Sequence, residues 1–369
     1  MIILSLSLIK KKSEDLYKKI KWQEINDSPT TKNYTDWSQF EKYINKNDNE
    51  IRYEKPEGDF DIIVGSCGNK GSKDLYESLI KFEESKLTAY HFYKAEEIYS
   101  LNLKSGKYRI AFCYPISSSW VSQHLKINIE EGSNTSIVIY EKRDSPGSTA
   151  IEINALKDSN NEISIILDSN EIYPTAYLIR KALHNNVEMK SFTLSKSSIM
   201  NRVEEKVVLF ENSKLKHNLL NLSYKGFRSD NIIDTIQTGL GSISEVSGLG
   251  FAFNSSLSSV RGTAIIMPEA KKSRSSFNIE ALLFGDNAKA YTMPMMKIET
   301  GDVISANHRS AQYRLNEEIL FYLESRGIDV NEITSLLVYE KSLGMTGHLD
   351  AYKEFVQNII IKELKKIYK

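Results

Sequence analysis

Cysteine is nearly absent: the 369 residues contain two, Cys67 and Cys113. They stand in dissimilar contexts without a CxxC pair, which argues against a disulfide framework or a cysteine-rich metal site. Any metal or cluster then needs other ligands or another subunit. Cys113, within Ala111-Phe112-Cys113-Tyr114, reads as a buried strand residue and Cys67 as a spare small one, so neither is expected to carry essential chemistry. Net charge is lacking too. The 48 Lys and Arg residues cancel 48 Asp and Glu, removing the basic excess that nucleic acid or an anionic membrane would attract. The apolar run Met1–Ile9 falls far short of a membrane span, and Lys10-Lys11-Lys12 follows it, the reverse of a signal peptide. The expectation is a cytoplasmic globular protein without nucleic-acid or membrane partners, choosing its partners through local surfaces.

What is present is enough apolar material for two or three domains: 41% hydrophobic residues, 10% aromatic. The N-terminal part reads as helical or mixed. Leu16 and Ile20 follow a Ser13 cap, and Trp37, Phe40, Tyr43 and Ile44 recur at helical spacing after Thr35 or Asp36. Phe60–Gly65 is strand-like, and after a Gly-rich loop Leu75, Tyr76, Leu79, Ile80 and Phe82 predict an amphipathic helix capped at Ser72. From about Tyr108, strand-sized runs dominate, among them 125–129, 136–140, 163–167, 206–210, 263–267 and 281–284, separated by Asn, Asp, Ser and Gly turns. A sandwich, a barrel and a β-helix all fit this pattern. Near the end, Asn316 caps a helix over 317–326 that Gly327 stops. Asp329 or Asn331 starts a second carrying Ile333, Leu336 and Leu337, and a third runs from Leu349 to Ile367 with lysines in its last turns.

The loop Gly65–Ser72 lies where phosphate-binding loops occur, but Lys70 precedes Gly71 and the glycines recur every third residue, matching neither a P-loop nor a dinucleotide loop. An ordinary tight turn is the simpler reading. A nucleotide-dependent enzyme using this loop is the alternative from another class, and a structural β-solenoid that binds proteins is a third. No Ser/His/Asp set is recognisable. His91, His124, His184, His217 and His348 show no metal-ligand spacing and read as surface or satisfied structural residues.

Two segments carry a family resemblance. Val260-Arg261-Gly262-Thr263-Ala264-Ile265-Ile266-Met267-Pro268-Glu269-Ala270, with Asn278, Leu282-Leu283, Ala288, Thr292 and Pro294, leads into Ala306-Asn307-His308-Arg309-Ser310-Ala311 and then Glu317 to Ile328 with its Phe-Tyr-Leu and Ser-Arg-Gly-Ile strings. Together they resemble the SufB/SufD family of iron–sulfur cluster assembly scaffolds over about residues 230–345. The position where SufB-type chains carry their assembly cysteine is Ile279 here, and the acidic residue after the histidine is Arg309, so the chain resembles SufD more closely.

The resemblance implies a mainly β fold: a right-handed parallel β-helix core over 106–312, an N-terminal helical or mixed region over 1–105 and a C-terminal helical domain over 313–369. It implies a non-catalytic subunit working with a SufC-type ATPase and with a SufB-type protomer or a second copy of itself. Leu320, Phe321, Tyr322, Arg326, Leu336 and Leu337 are the candidate ATPase-docking residues. His308 is the candidate cluster-assembly residue, placed just after the final strands and meeting a transient iron–sulfur cluster at the protomer interface. No intrinsic cofactor is implied, and flavin is left open.

Overall fold

Both faces of most strands are buried. In Thr175–Leu183 all nine residues are buried, polar ones included. Such strands read as continuous runs, not as clean alternation, which is the signature of parallel sheets covered on both sides. The computed structural model describes residues 4–22, 34–44, 50–68, 74–75, 78–314, 317–327 and 329–367. Its centre is a β-solenoid of about eight turns. Successive strands fall alternately into an eight-stranded sheet, Tyr99–Leu103 through Lys289–Ile298, and a nine-stranded sheet, Ile62–Val64 through Val303–Arg314. Within each, neighbours run parallel and in register, as where Ile151 lies between Leu125 and Ile179.

The inward columns of the two sheets form the first core: Leu125, Ile127, Ile151, Ile153, Ile179 and Val207 face Ile137, Ile139, Ile163, Ile165 and Leu219. One corner of each coil needs a left-handed residue. Gly132, Asp158, Asn186, Asn212, Gly241 and Lys272, all at positive φ, recur there every 26–31 residues. Gly, Asn and Asp tolerate that conformation best, and Asn186 donates to Asp158 at 2.7 Å from the coil above.

Helices α1 (Leu6–Lys19), α2 (Trp37–Glu41) and α3 (Lys86–Lys94) cover the outer face of the eight-stranded sheet. Their Leu6, Ile9, Tyr17, Phe40, Tyr90 and Phe92 pack on Trp120, Ala150, Ala176, Leu178 and Met200. Asp36 is the cap of α2, accepting from the Ser38 N–H at 3.1 Å. Ser13, by contrast, starts nothing. Helix α1 begins at Leu6, and Ser13 lies within its buried stripe with Leu6, Ile9 and Tyr17, where α1 crosses α3.

The helix expected over 75–82 does not form. Asp74–Leu75 is a strand paired antiparallel with Leu4–Ser5, Ser72 and residues 76–77 lie outside the described residues, and residues 78–82 hold no helix. The cause is a distant carboxylate: buried Glu152 accepts from the Leu79 N–H at 2.6 Å and from the Ser78 hydroxyl, while Ile80 is drawn into the apolar layer. The helix comes later, at α3, with a Ser85/Thr88 capping box.

Helices α4 (Glu317–Glu324), α5 (Val330–Gly344) and α6 (Lys353–Ile367) close the chain. Val338, Val356, Ile360 and Leu364 pack on Ile166, Phe192, Leu194, Leu220, Leu222 and Phe251, outside the nine-stranded sheet. Glu162 anchors the entry to α6 from the solenoid, accepting the N–H groups of Asp350, Ala351 and Tyr352 at 2.7–3.2 Å. At the start of the core, the two cysteines are joined, correcting the expectation of unpaired thiols: Cys67 and Cys113 form a disulfide across 46 residues of sequence. Parallel pairing of Ile62–Val64 with Ile110–Phe112 brings the residues that follow each strand together, a juxtaposition that sequence spacing conceals.

Candidate functional site

The last coil is open. Lys289–Ile298 and Val303–Arg314 each pair with the preceding coil and, among the described residues, have no strand on their other side. Tyr291, Met295, Ile298 and Ile304 are exposed along these edges. His308 lies within the final strand, not in a turn after it, and pairs with Phe277. That pairing continues a lumen column through Ile137, Ile163, Ser191, His217, Val246 and Phe277, which puts exposed His308 at the mouth of the solenoid. Next to it Arg309 donates to Glu280 at 2.6 Å. Ile279, an apolar packing residue, is fully buried in the core and pairs with Ser310.

The lumen below is not purely apolar. Lys181 pairs with Glu205 and donates to Ser191 at 2.5 Å, Thr193 donates to Glu205 at 3.1 Å, and His217 lies 3.4 Å from Glu205. All are buried. Burial pushes the His217 imidazole down to about 3 against the pull of Glu205, so the ring is neutral and Lys181 is the charge that keeps Glu205 ionised. Nearer the start of the core, Arg143 donates to Glu141 at 2.8 Å and to Thr149 at 2.6 Å, while Tyr177 donates to Glu141 at 2.9 Å. Outside the eight-stranded sheet, His91 bonds His124 at 3.2 Å, and His124 bonds Glu152 at 2.9 Å. Sequence reasoning missed these groups because no local spacing links them; only the coil register does.

The candidate docking residues divide. Phe321, Tyr322 and Leu336 are 74, 54 and 63% exposed, an unusual degree for large apolar side chains on helices. Arg326 stacks over the Tyr322 ring at 5.0 Å. Leu337 points instead to the solenoid and packs with Val338, and the side chain of Leu320 lies outside the described residues. In the Gly-rich loop, Asn69–Ser72 lie outside the described residues, and among the described residues 74–75 and 78–82 there is no helix of the kind a phosphate-binding loop leads into. Among the described residues no group of three or more His, Cys, Asp or Glu is placed to hold a metal ion. Nor is any described helix long and apolar enough to cross a membrane.

The model of the SUF system FeS cluster assembly SufBD core domain matches residues 114–341, from the early coils through the open edge to α5. The chain belongs to the SufBD family. An iron–sulfur cluster assembly SufBD family protein of Pyrococcus horikoshii is 26% identical over 313 residues, covering 80% of this chain and 66% of that protein. One of Galdieria sulphuraria is 31% identical over 103 residues, covering 28% of this chain and 46% of its own length. One of Mycobacterium bovis is 44% identical over 57 residues, 15% of this chain and 14% of that protein. The chain thus spans less than two thirds of each of these SufBD relatives.

Proposed function

We propose that this SufBD chain is a SufD-like, non-catalytic scaffold protomer on which iron–sulfur clusters are built. The observation that carries the reading is the open last coil with His308 at its mouth. An unpaired, partly apolar strand edge suits pairing with a SufB-type protomer or a second copy through the ladder. The imidazole then faces the seam, where a nascent cluster, as cargo, is held between His308 and ligands of the other chain. Ile279 and Arg309 support the SufD-like assignment, because neither supplies a thiolate or a carboxylate. Phe321, Tyr322, Arg326 and Leu336 offer an anchor set of two aromatics, one arginine and one leucine for a SufC-type ATPase, whose hydrolysis would drive assembly from outside the lumen. The cytoplasm is the compartment in which this reading sets the protein.

His308→Ala removes a ligand and proton acceptor at an exposed position, so folding and ATPase binding should survive while cluster formation falls. The deciding measurement is iron and sulfide content of complexes purified anaerobically with wild-type or His308→Ala chain, at equal stoichiometry and ATPase activity. Equal cluster load would make His308 a structural residue and remove the proposed seam site.

A further inference from the structure

We infer that the Cys67–Cys113 bond is a thiol–disulfide exchange site that latches the closed end of the solenoid. The two ends of the core differ. At the far end the last coil is open, whereas at the near end the nine-stranded sheet finishes in a three-residue strand, Ile62–Val64, laid on Ile110–Phe112. This short strand covers an edge whose Ile110 and Phe112 are fully buried. Beyond the ladder it is held by the Asp61 N–H donating to the Arg109 carbonyl at 2.8 Å, the Cys113 N–H donating to the Val64 carbonyl at 2.7 Å, and the disulfide just after it.

The loop is shaped around the bond. Gly65 has φ +122°, and a Cβ there would lie 2.7 Å from the Cys113 Cβ, so only glycine permits the crossing. The sulfurs are unequal. Cys113 is fully buried, and its carbonyl accepts from the Gln123 side chain at 3.0 Å; Gln123 in turn accepts from Arg143 at 3.3 Å, which ties Cys113 to the lumen network. Cys67 is half-buried, its neighbours Ser66 and Gly68 are exposed, and Ser66 lines a cavity of about 250 Å³ with Tyr53, Tyr99, Trp120 and Gln123. The Cys67 N–H donates to the Cys113 sulfur at 3.0 Å.

That asymmetry sets the direction of exchange. A thiolate of an external dithiol attacks the accessible Cys67 sulfur, the Cys67–Cys113 bond breaks, and the electron pair leaves on Cys113, where the Cys67 N–H supports the developing charge before a proton arrives. The second thiol of the reductant then displaces Cys67 from the mixed disulfide. Two electrons and two protons pass to the protein, and the dithiol becomes a disulfide. Cys113 stays fixed by the lumen network, so the loop Gly65–Gly68 and the strand before it are the parts released, together with the Ser66 wall of the cavity. Disulfides in reducing compartments are mostly of this exchanging kind.

The test is a redox titration of the intact native protein against reduced and oxidised dithiothreitol, with free thiols trapped by a maleimide and counted by mass spectrometry. Amide exchange is followed on the same samples. The expected result is a reversible appearance of two thiols without denaturant, accompanied by exchange about tenfold or more faster over residues 62–68 and unchanged over the middle coils 201–237. Cys67→Ser should show the fast exchange at every redox ratio. The inference fails if both thiols are free under oxidising ratios, if the bond yields only after urea is added, or if exchange accelerates throughout the chain. Should the variant not fold, the wild-type titration alone decides.

Discussion

Among the described residues neither ring nitrogen of His217 has an aligned hydrogen-bond partner, Glu205 at 3.4 Å included, although the residue is fully enclosed by the lumen. Its pKa, lowered by burial from 6.5 to about 3, makes it a source of acid sensitivity. Below pH 6.5 the unfolded chain takes up a proton that the folded chain refuses until about pH 3, so stability is unaffected above that window and falls as pH drops through it. His217→Leu should flatten the profile by about 1.4 kcal/mol per pH unit between roughly pH 5.5 and 4, read from urea denaturation at a series of pH values. An unchanged slope would mean that the ring is charged in the fold. Lys181→Met strands the Glu205 carboxylate and should cost about 3–5 kcal/mol, most of it recovered in Lys181→Met/Glu205→Leu. If the double variant is as unstable as the single, packing and not charge accounts for the loss. From sequence, His217 reads as a satisfied histidine; that it faces Glu205 and Lys181 depends on which residues share a coil level, and varying coil lengths of 26–31 residues hide that.

Helix α6 owes its first turn to a residue nearly two hundred positions earlier. Glu162 accepts the N–H groups of Asp350, Ala351 and Tyr352, the three residues that lead into the helix, which fixes the entry of the chain and places negative charge at the positive end of the dipole. Glu162→Ala should lower stability by about 1–2 kcal/mol. Amide exchange should rise in 350–356 while the solenoid strands keep their protection. Exchange unchanged in that turn would show that apolar contacts alone hold it. The same kind of long-range capture explains which elements were legible. The strands and the three C-terminal helices follow from local patterns, because Val338, Val356, Ile360 and Leu364 keep a helical stripe. The 75–82 segment has such a stripe too, but Glu152 claims its backbone, and α3 was missed although Ser85 and Thr88 form a readable cap. His308 was singled out through its motif; its alignment with the lumen column was not foreseen.

At the scale of the whole chain, two long parallel sheets end in short strands, Ile62–Val64 and Tyr99–Leu103, at one tip and in long exposed ones, Lys289–Ile298 and Val303–Arg314, at the other. Ile298→Lys with Ile304→Lys places charge on both exposed strands of the open coil and should weaken pairing with a SufB-type protomer or a second copy at least about tenfold. Sedimentation velocity over a concentration series reads this directly, and unaltered association would move the contact away from Lys289–Arg314. The β-helix is the one of three sequence-compatible architectures that buries strands on both faces, and the choice came from family resemblance because strand runs alone do not encode how the coils stack.

The capped near end also has a stoichiometric consequence. Eight coils at about 4.8 Å each make a rod roughly 35 Å long, and a rod with sticky edges at both tips would add units head to tail without limit. Among the described residues the near tip ends in Ile62–Val64 and Tyr99–Leu103, strands of three and five residues, the shorter followed by the crosslink, so it offers a partner far less ladder than the ten- and twelve-residue strands of the open coil. Ladder pairing of the kind proposed above then favours a closed pair over an open row of units, and the crosslink after residue 64 bears on how many partners meet at residue 308.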